Sequence, residues 1–179
     1  MPIRVGMVSL GCSKNLVDSE RMLAKLRAHG YQLVTEPGEA DVAIVNTCGF
    51  IQSAKEEAIE TILELGALKK DGTLKKIILT GCLTERYQEA VIGIGNNRDI
   101  VDILDHVLAG ERVVQFGKKS DAELKGDRII TTLPFFAYLK IAEGCSNNCT
   151  YCAIPAIRGP YRSVPMEDVL DEARWLAEH

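Results

Sequence analysis

Short apolar runs alternate with amphipathic stretches along the first two thirds of the chain. "IRVGMVSLG" predicts a buried strand, and "LVDSERMLAKLRAHG" an amphipathic helix in which Leu16, Leu23 and Leu26 recur at helical spacing and Gly30 supplies the stop. "YQLVTEP" reads as a weaker strand ended by Pro37, and "DVAIVNTCGF" as a strong buried one. "SAKEEAIETILELGALKK" predicts a helix with Ser53 at its N-cap and Glu56 completing a capping box. A turn at Asp71-Gly72 leads to the strand "KIILTGCL". Thr84 is then expected to cap a short helix, "ERYQEA", followed by a strand "VIGIG" and a helix "NRDIVDILDHVLAG". Such alternation predicts an α/β fold, a parallel sheet flanked by helices. The polar stretch at 115–128 reads as a linker, "FFAYLKIAEG" as a new strand, and the segment after "PYRSVP" as a capped helix.

The composition changes little in this picture. Hydrophobic residues are 46% and charged residues 26% of the 179, as in a globular protein with a real core. A net charge of -4 provides no footprint for nucleic acid. The apolar run at the N-terminus is short and broken by glycine, unlike a signal peptide, and no run approaches the length of a membrane span. A cytoplasmic protein with no membrane partner is expected. "GIGNN" lacks the full phosphate-loop spacing and reads as a turn, and Asp99, Asp102 and Asp105 read as one solvated helix face. "KKDGTLKK" reads as a soluble turn.

The six cysteines change it more. Cys12, Cys48 and Cys82 each follow a predicted strand, one strand–helix unit apart. In a parallel sheet all three emerge at the carboxyl edge, where open α/β sheets place ligands. They form either one metal-binding set or three unrelated buried core residues. Cys145, Cys149 and Cys152 lie within "CSNNCTYC". Structural zinc takes four protein ligands and an iron–sulfur cluster normally four cysteines. No fourth Cys or His is near, since the histidines are His29, His106 and His179. Three cysteines therefore point to a cluster with one iron open to a ligand. Zinc completed by a distant residue, or a disulfide, remains the alternative. Ser13, Lys14 and Asn15 either line the first set or form a turn and N-cap.

"CSNNCTYC" resembles the signature of the radical S-adenosylmethionine enzymes, and with "SLGCSKNLVDSE", "NTCGFI" and "TGCL" the chain resembles the radical methylthiotransferases of the RimO family. That resemblance implies the following. Residues 1–120 are the methylthiotransferase N-terminal α/β domain, 121–133 a linker, and 134–179 the start of a radical domain, a truncated βα barrel. Cys145, Cys149 and Cys152 hold a 4Fe–4S cluster that binds S-adenosyl-L-methionine. Cys12, Cys48 and Cys82 hold a second 4Fe–4S cluster, whose open iron carries the sulfur to be transferred. Tyr151 lies against the adenine. The substrate is an aspartate β-carbon of ribosomal protein S-twelve in the small ribosomal subunit, and the electron donor is a flavodoxin or ferredoxin. The sister family acting on tRNA adenosine more often reads "GCQMN" and "NTCSVR". A non-catalytic cluster- or zinc-binding module is the other alternative.

Three departures from the family pattern stand out. The chain ends in the first helix after the cluster motif, so alone it is not expected to turn over. Only four residues separate Tyr87 from Ile92, and Val164 stands where the family usually has arginine.

Overall fold

The computed structural model describes residues 2–86 and 92–179. The chain opens with β1 (Arg4–Ser9), α1 (Ser13–Ala28) and β2 (Gln32–Val34), then β3 (Val42–Thr47), α2 (Gln52–Lys70), β4 (Lys76–Gly81) and α3 (Cys82–Arg86). After a 3-10 segment at Ile94–Asp99 come α4 (Ile100–Leu108), β5 (Ala142–Glu143), α5 (Ile154–Arg158), β6 (Arg162–Ser163) and α6 (Met166–Glu178).

The sheet has the order β2-β1-β3-β4, and all its pairings are parallel. β3 is central and buried along its whole length, as its unbroken apolar run requires. Its side chains alternate between two cores. Val42 and Ile44 face a cluster with Met22 and Leu26 of α1 and Ile100, Ile103 and Leu104 of α4. Ala43 and Val45 face Leu65 of α2 and Leu74. The chain runs outward from β1 to β2, then returns to continue through β3 to β4. The order reverses between β1 and β3, so their following loops part and leave a crevice at the carboxyl edge.

Asp41 fastens the opposite edge. Its Oδ2 accepts the Arg4 backbone N–H at 2.9 Å and faces Arg4 Nε at 3.3 Å, while Oδ1 lies 3.0 Å from Lys75 Nζ. The Arg4 amide bond, and then Lys75, lower its pKa to about 2. Because the folded pKa is depressed, this stabilisation is present above the ordinary carboxylate range and is lost as pH falls towards 2. Both cations are largely exposed, so Asp41→Asn is expected to cost only about 1 kcal/mol at neutral pH. It should also flatten the loss of stability between pH 4 and 2, as read by urea unfolding at a series of pH values.

Several local expectations are corrected. α2 starts at Gln52 with Ile51 in the cap position, so Ser53 lies inside the first turn and makes no cap. Glu56 accepts from Gln52 Nε2 at 3.0 Å instead of closing a capping box. Thr84 is inside α3, its hydroxyl between the carbonyls of Gly81 (2.8 Å) and Ile92 (2.6 Å). Tyr87 to Val91, the rest of the "ERYQEA" helix and the first residue of "VIGIG", lie outside the described residues. Ile92 makes a single parallel bridge to Gln115, and Ile94 already belongs to the 3-10 segment, so no strand forms there among the described residues. Pro165 precedes α6 without a side-chain cap bond.

The stretch read as a linker packs closely. Ala122 is buried against Ile94 and Ile157, and Arg128 is buried because its guanidinium is drawn onto Glu20 of α1. Of "FFAYLKIAEG", only Ala142 and Glu143 pair, antiparallel with Ser163 and Arg162. Phe135, Phe136, Tyr138 and Ile141 are exposed. Among the described residues no second strand lies along 135–141, and an isolated strand is not stable in water.

Candidate functional site

The carboxyl edge brings the first three cysteines together. Cys12 follows β1 as the N-cap of α1, Cys48 follows β3, and Cys82 opens α3 after β4. All three line one cavity of about 800 Å³, with the apolar Phe50, Ile51 and Ile154 around them. Gly11 makes this approach possible. Its φ is +94°, and a Cβ there would stand 2.5 Å from Cys48 Cβ and 2.8 Å from its sulfur.

Cys48 and Cys82 are buried, whereas Cys12 is exposed. Burial pushes the Cys82 thiol up to about 11; Arg158 opposes the shift, and Cys12 and Cys48 add to it. The thiols thus sense one another, and holding them as thiolates requires a cation. Among the described residues no group of three His, Cys, Asp or Glu is arranged to hold a single metal ion. A cluster asks for something different. Each thiolate ligates its own iron, so three sulfurs must ring a cavity, not meet at one point. The donor set, the apolar wall and the space fit that demand.

Cys145, Cys149 and Cys152 lie on the loop between β5 and α5. Gly144 turns the chain at φ +69°, where a Cβ would stand 2.1 Å from Pro160 O, so the loop's entry lies against the turn that follows α5. Cys145 N–H donates to Gly159 O at 3.0 Å, Cys152 N–H donates to Cys149 O at 3.0 Å, and Asn148 adopts φ +49°. Cys149 is exposed and Cys145 and Cys152 are half-buried. Tyr151, expected against an adenine, is 90% exposed, with its ring open to a ligand.

Asn15, together with four side chains that the sequence reading left aside, joins the two regions. Asn15, Asp18 and Arg158 meet Glu143 and Lys140 in a buried network. Arg158 Nη1 lies 3.1 Å from Asp18 and 2.8 Å from Glu143, and Lys140 lies 2.7 Å and 2.5 Å from the same two carboxylates. Burial alone would raise the Glu143 pKa, but Lys140 and Arg158 outweigh it and hold it at about 2. Burial likewise works against the Arg158 charge, and Asp18, Cys82, Glu143 and Cys12 more than offset it, so its pKa is raised. Lys14 lines the cavity and reaches Glu143 at 3.4 Å. Asn15 is wholly buried and donates to Leu10 O and Thr47 O, joining the loops after β1 and β3. Of the two readings of Ser13–Asn15, Lys14 and Asn15 thus belong to the site, while Ser13 begins α1. The available signal was the spacing of Cys12, Asn15 and Asp18, three residues apart on one helix face.

Residues 4–102 match the family described as "Uncharacterized protein family UPF0004", and residues 139–179 match the "Radical SAM superfamily". A protein of Lachnoclostridium phytofermentans named "Ribosomal protein uS12 methylthiotransferase RimO" is 48% identical over 98% of this chain. Proteins of the same name from Thermoanaerobacter sp. and Caldanaerobacter subterraneus subsp. tengcongensis are 48% and 50% identical, each over 97% of it. The chain belongs to the RimO family of radical methylthiotransferases. It spans about 42% of the length of these RimO relatives. Membership in a radical S-adenosylmethionine family implies an iron–sulfur cluster and S-adenosylmethionine as cofactors. Among the described residues no helix is long and apolar enough to cross a membrane.

Proposed function

We propose that this chain is part of an enzyme that methylthiolates an aspartate β-carbon of ribosomal protein uS12, in the cytoplasm, using two 4Fe–4S clusters. The observation that carries the reading is the convergence of Cys12, Cys48 and Cys82, from the ends of three parallel strands, on one cavity. In this reading they hold one cluster, and Cys145, Cys149 and Cys152 hold the other. Residues 1–120 form the first functional part, 121–133 the connection and 134–179 the start of the radical part. When bound, the clusters and S-adenosylmethionine supply one-electron reduction, a hydrogen-abstracting radical, the sulfur and the methyl group.

The chain's own residues bind, orient and exclude water. The loop from Cys145 to Cys152 supplies three thiols, leaving one cluster position without a protein ligand. Tyr151 offers an exposed ring for an adenine face. Phe50, Ile51 and Ile154 keep the first cavity apolar. Lys14 and Arg158 offset the negative charge that thiolates bring there. A small reducing protein, flavodoxin or ferredoxin, supplies electrons.

Anaerobic reconstitution of this chain is expected to give about eight irons, with matching sulfide. Cys48→Ala and Cys149→Ala should each remove about half of them. A new paramagnetic resonance spectrum on adding S-adenosylmethionine should survive Cys48→Ala and vanish with Cys149→Ala. Zinc in place of iron, without colour, would sink the proposal. A longer chain that includes the remainder found in the relatives should add a methylthio group to uS12; modification of tRNA alone would assign the sister activity.

A further inference from the structure

Arg158 belongs to neither cysteine triad, yet it reaches from one to the other. It ends α5, the helix that follows Cys152, and its side chain lines the cavity of Cys12, Cys48 and Cys82. The guanidinium side chain is 3% exposed and each of its ends is engaged. Nη1 donates to Asp18 Oδ2 and to Glu143 Oε2, and Nη2 donates to Asn15 Oδ1. The same Asn15 oxygen accepts the Cys82 thiol at 3.6 Å. Asn15 and Asp18 stand on the two turns of α1 that begin at Cys12. Glu143 stands in β5, just before Cys145. The acceptors therefore come from both sides, and a planar fork is the side chain that can meet them together.

The charges nearly cancel in the interior. Asp18 and Glu143 face Arg158 and Lys140, two against two. Lys14 adds a half-exposed cation at Glu143. Removing either sign in this balance changes the field that the first cavity senses, in opposite directions.

Resting on the two-cluster reading above, we infer that Arg158 is a positioning residue shared by both triads. It fastens the Cys145–Cys152 loop to the end of α1 that carries Cys12, and it fixes a positive charge beside Cys82 that governs the reduction potential of the cluster held there. Added positive charge near a cluster favours its reduced form, so loss of Arg158 makes reduction harder.

The test is a potentiometric titration followed by paramagnetic resonance, in a Cys149→Ala background where only the first triad assembles a cluster. Arg158→Gln is expected to lower the midpoint potential, Asp18→Asn to raise it, and Arg158→Lys to stay near the parent. In a Cys48→Ala background, which leaves the other cluster, the same substitutions should move the potential less. Unshifted potentials in the first background, or shifts of the same sign, would overturn the inference. Arg158→Gln leaves two carboxylates short of a partner; should it not fold by circular dichroism, Asp18→Asn decides, and a potential at or below the parent's overturns the inference. A Cys149→Ala parent that takes up no iron overturns this inference and the proposed function together. Iron with an unmoved potential overturns this one alone.

Discussion

Arg128→Ala is expected to destabilise the protein by about 3–5 kcal/mol, because it strands a charged carboxylate in the interior. Glu20 and Arg128 side chains are 0% and 1% exposed. Arg128 Nε and Nη2 both donate to Glu20 Oε2, while Nη1 donates to Tyr138 O at 2.7 Å and Glu172 Oε1 at 2.6 Å. The other Glu20 oxygen accepts the Thr131 amide at 2.9 Å and its hydroxyl at 3.0 Å. One guanidinium thus joins α1, the segment before β5 and α6. Removing both charges at once is a different matter. The double substitution Glu20→Leu with Arg128→Met should cost far less than the sum of the singles, because no lone charge remains. Urea unfolding of the four proteins gives the coupling. A loss of under about 1 kcal/mol for Arg128→Ala would show that the pair contributes no more than an exposed one.

Gly11→Ala should damage the first cysteine site. The left-handed backbone costs alanine about 1–2 kcal/mol, and the new methyl overlaps Cys48 Cβ and Sγ besides. Cys48 sits just past the central strand and has little room to retreat, so the strain falls on the loop after β1 and on the spacing of Cys12 and Cys48. The expected result after reconstitution is about half the parent's iron, with the signal from the Cys145–Cys152 loop retained. Full iron with unchanged paramagnetic resonance would mean that the two loops yield easily.

The sheet was legible because its signal is apolar. The strand ends were placed well enough to put Cys12, Cys48 and Cys82 at one edge, since a parallel sheet leaves them no other side. The polar elements were harder to read. Asp18, Glu20 and Arg21 look like solvated helix positions, and they are buried only because residues 128–143, 158 and 172 bring matching charges from far along the chain. Periodicity within α1 holds no trace of those partners. The cap at Ser53 failed by two residues, as Ile51 takes that position on extended backbone. "FFAYLKIAEG" has strand composition, yet pairing needs a neighbour, and composition does not reveal whether one is present.

Because α1 meets the later segment through matched charges and not through an apolar seam, the two parts are not freely interchangeable. Greasy surfaces tolerate exchange, since many shapes of similar size pack acceptably. Here Glu20 demands an arginine at 128, and Asp18 demands cations at 140 and 158. A hybrid joining residues 1–115 of this chain to the later part of a distant relative should fold only if these positions travel as a set, so the pairs act as a mark of compatible parentage between the two halves.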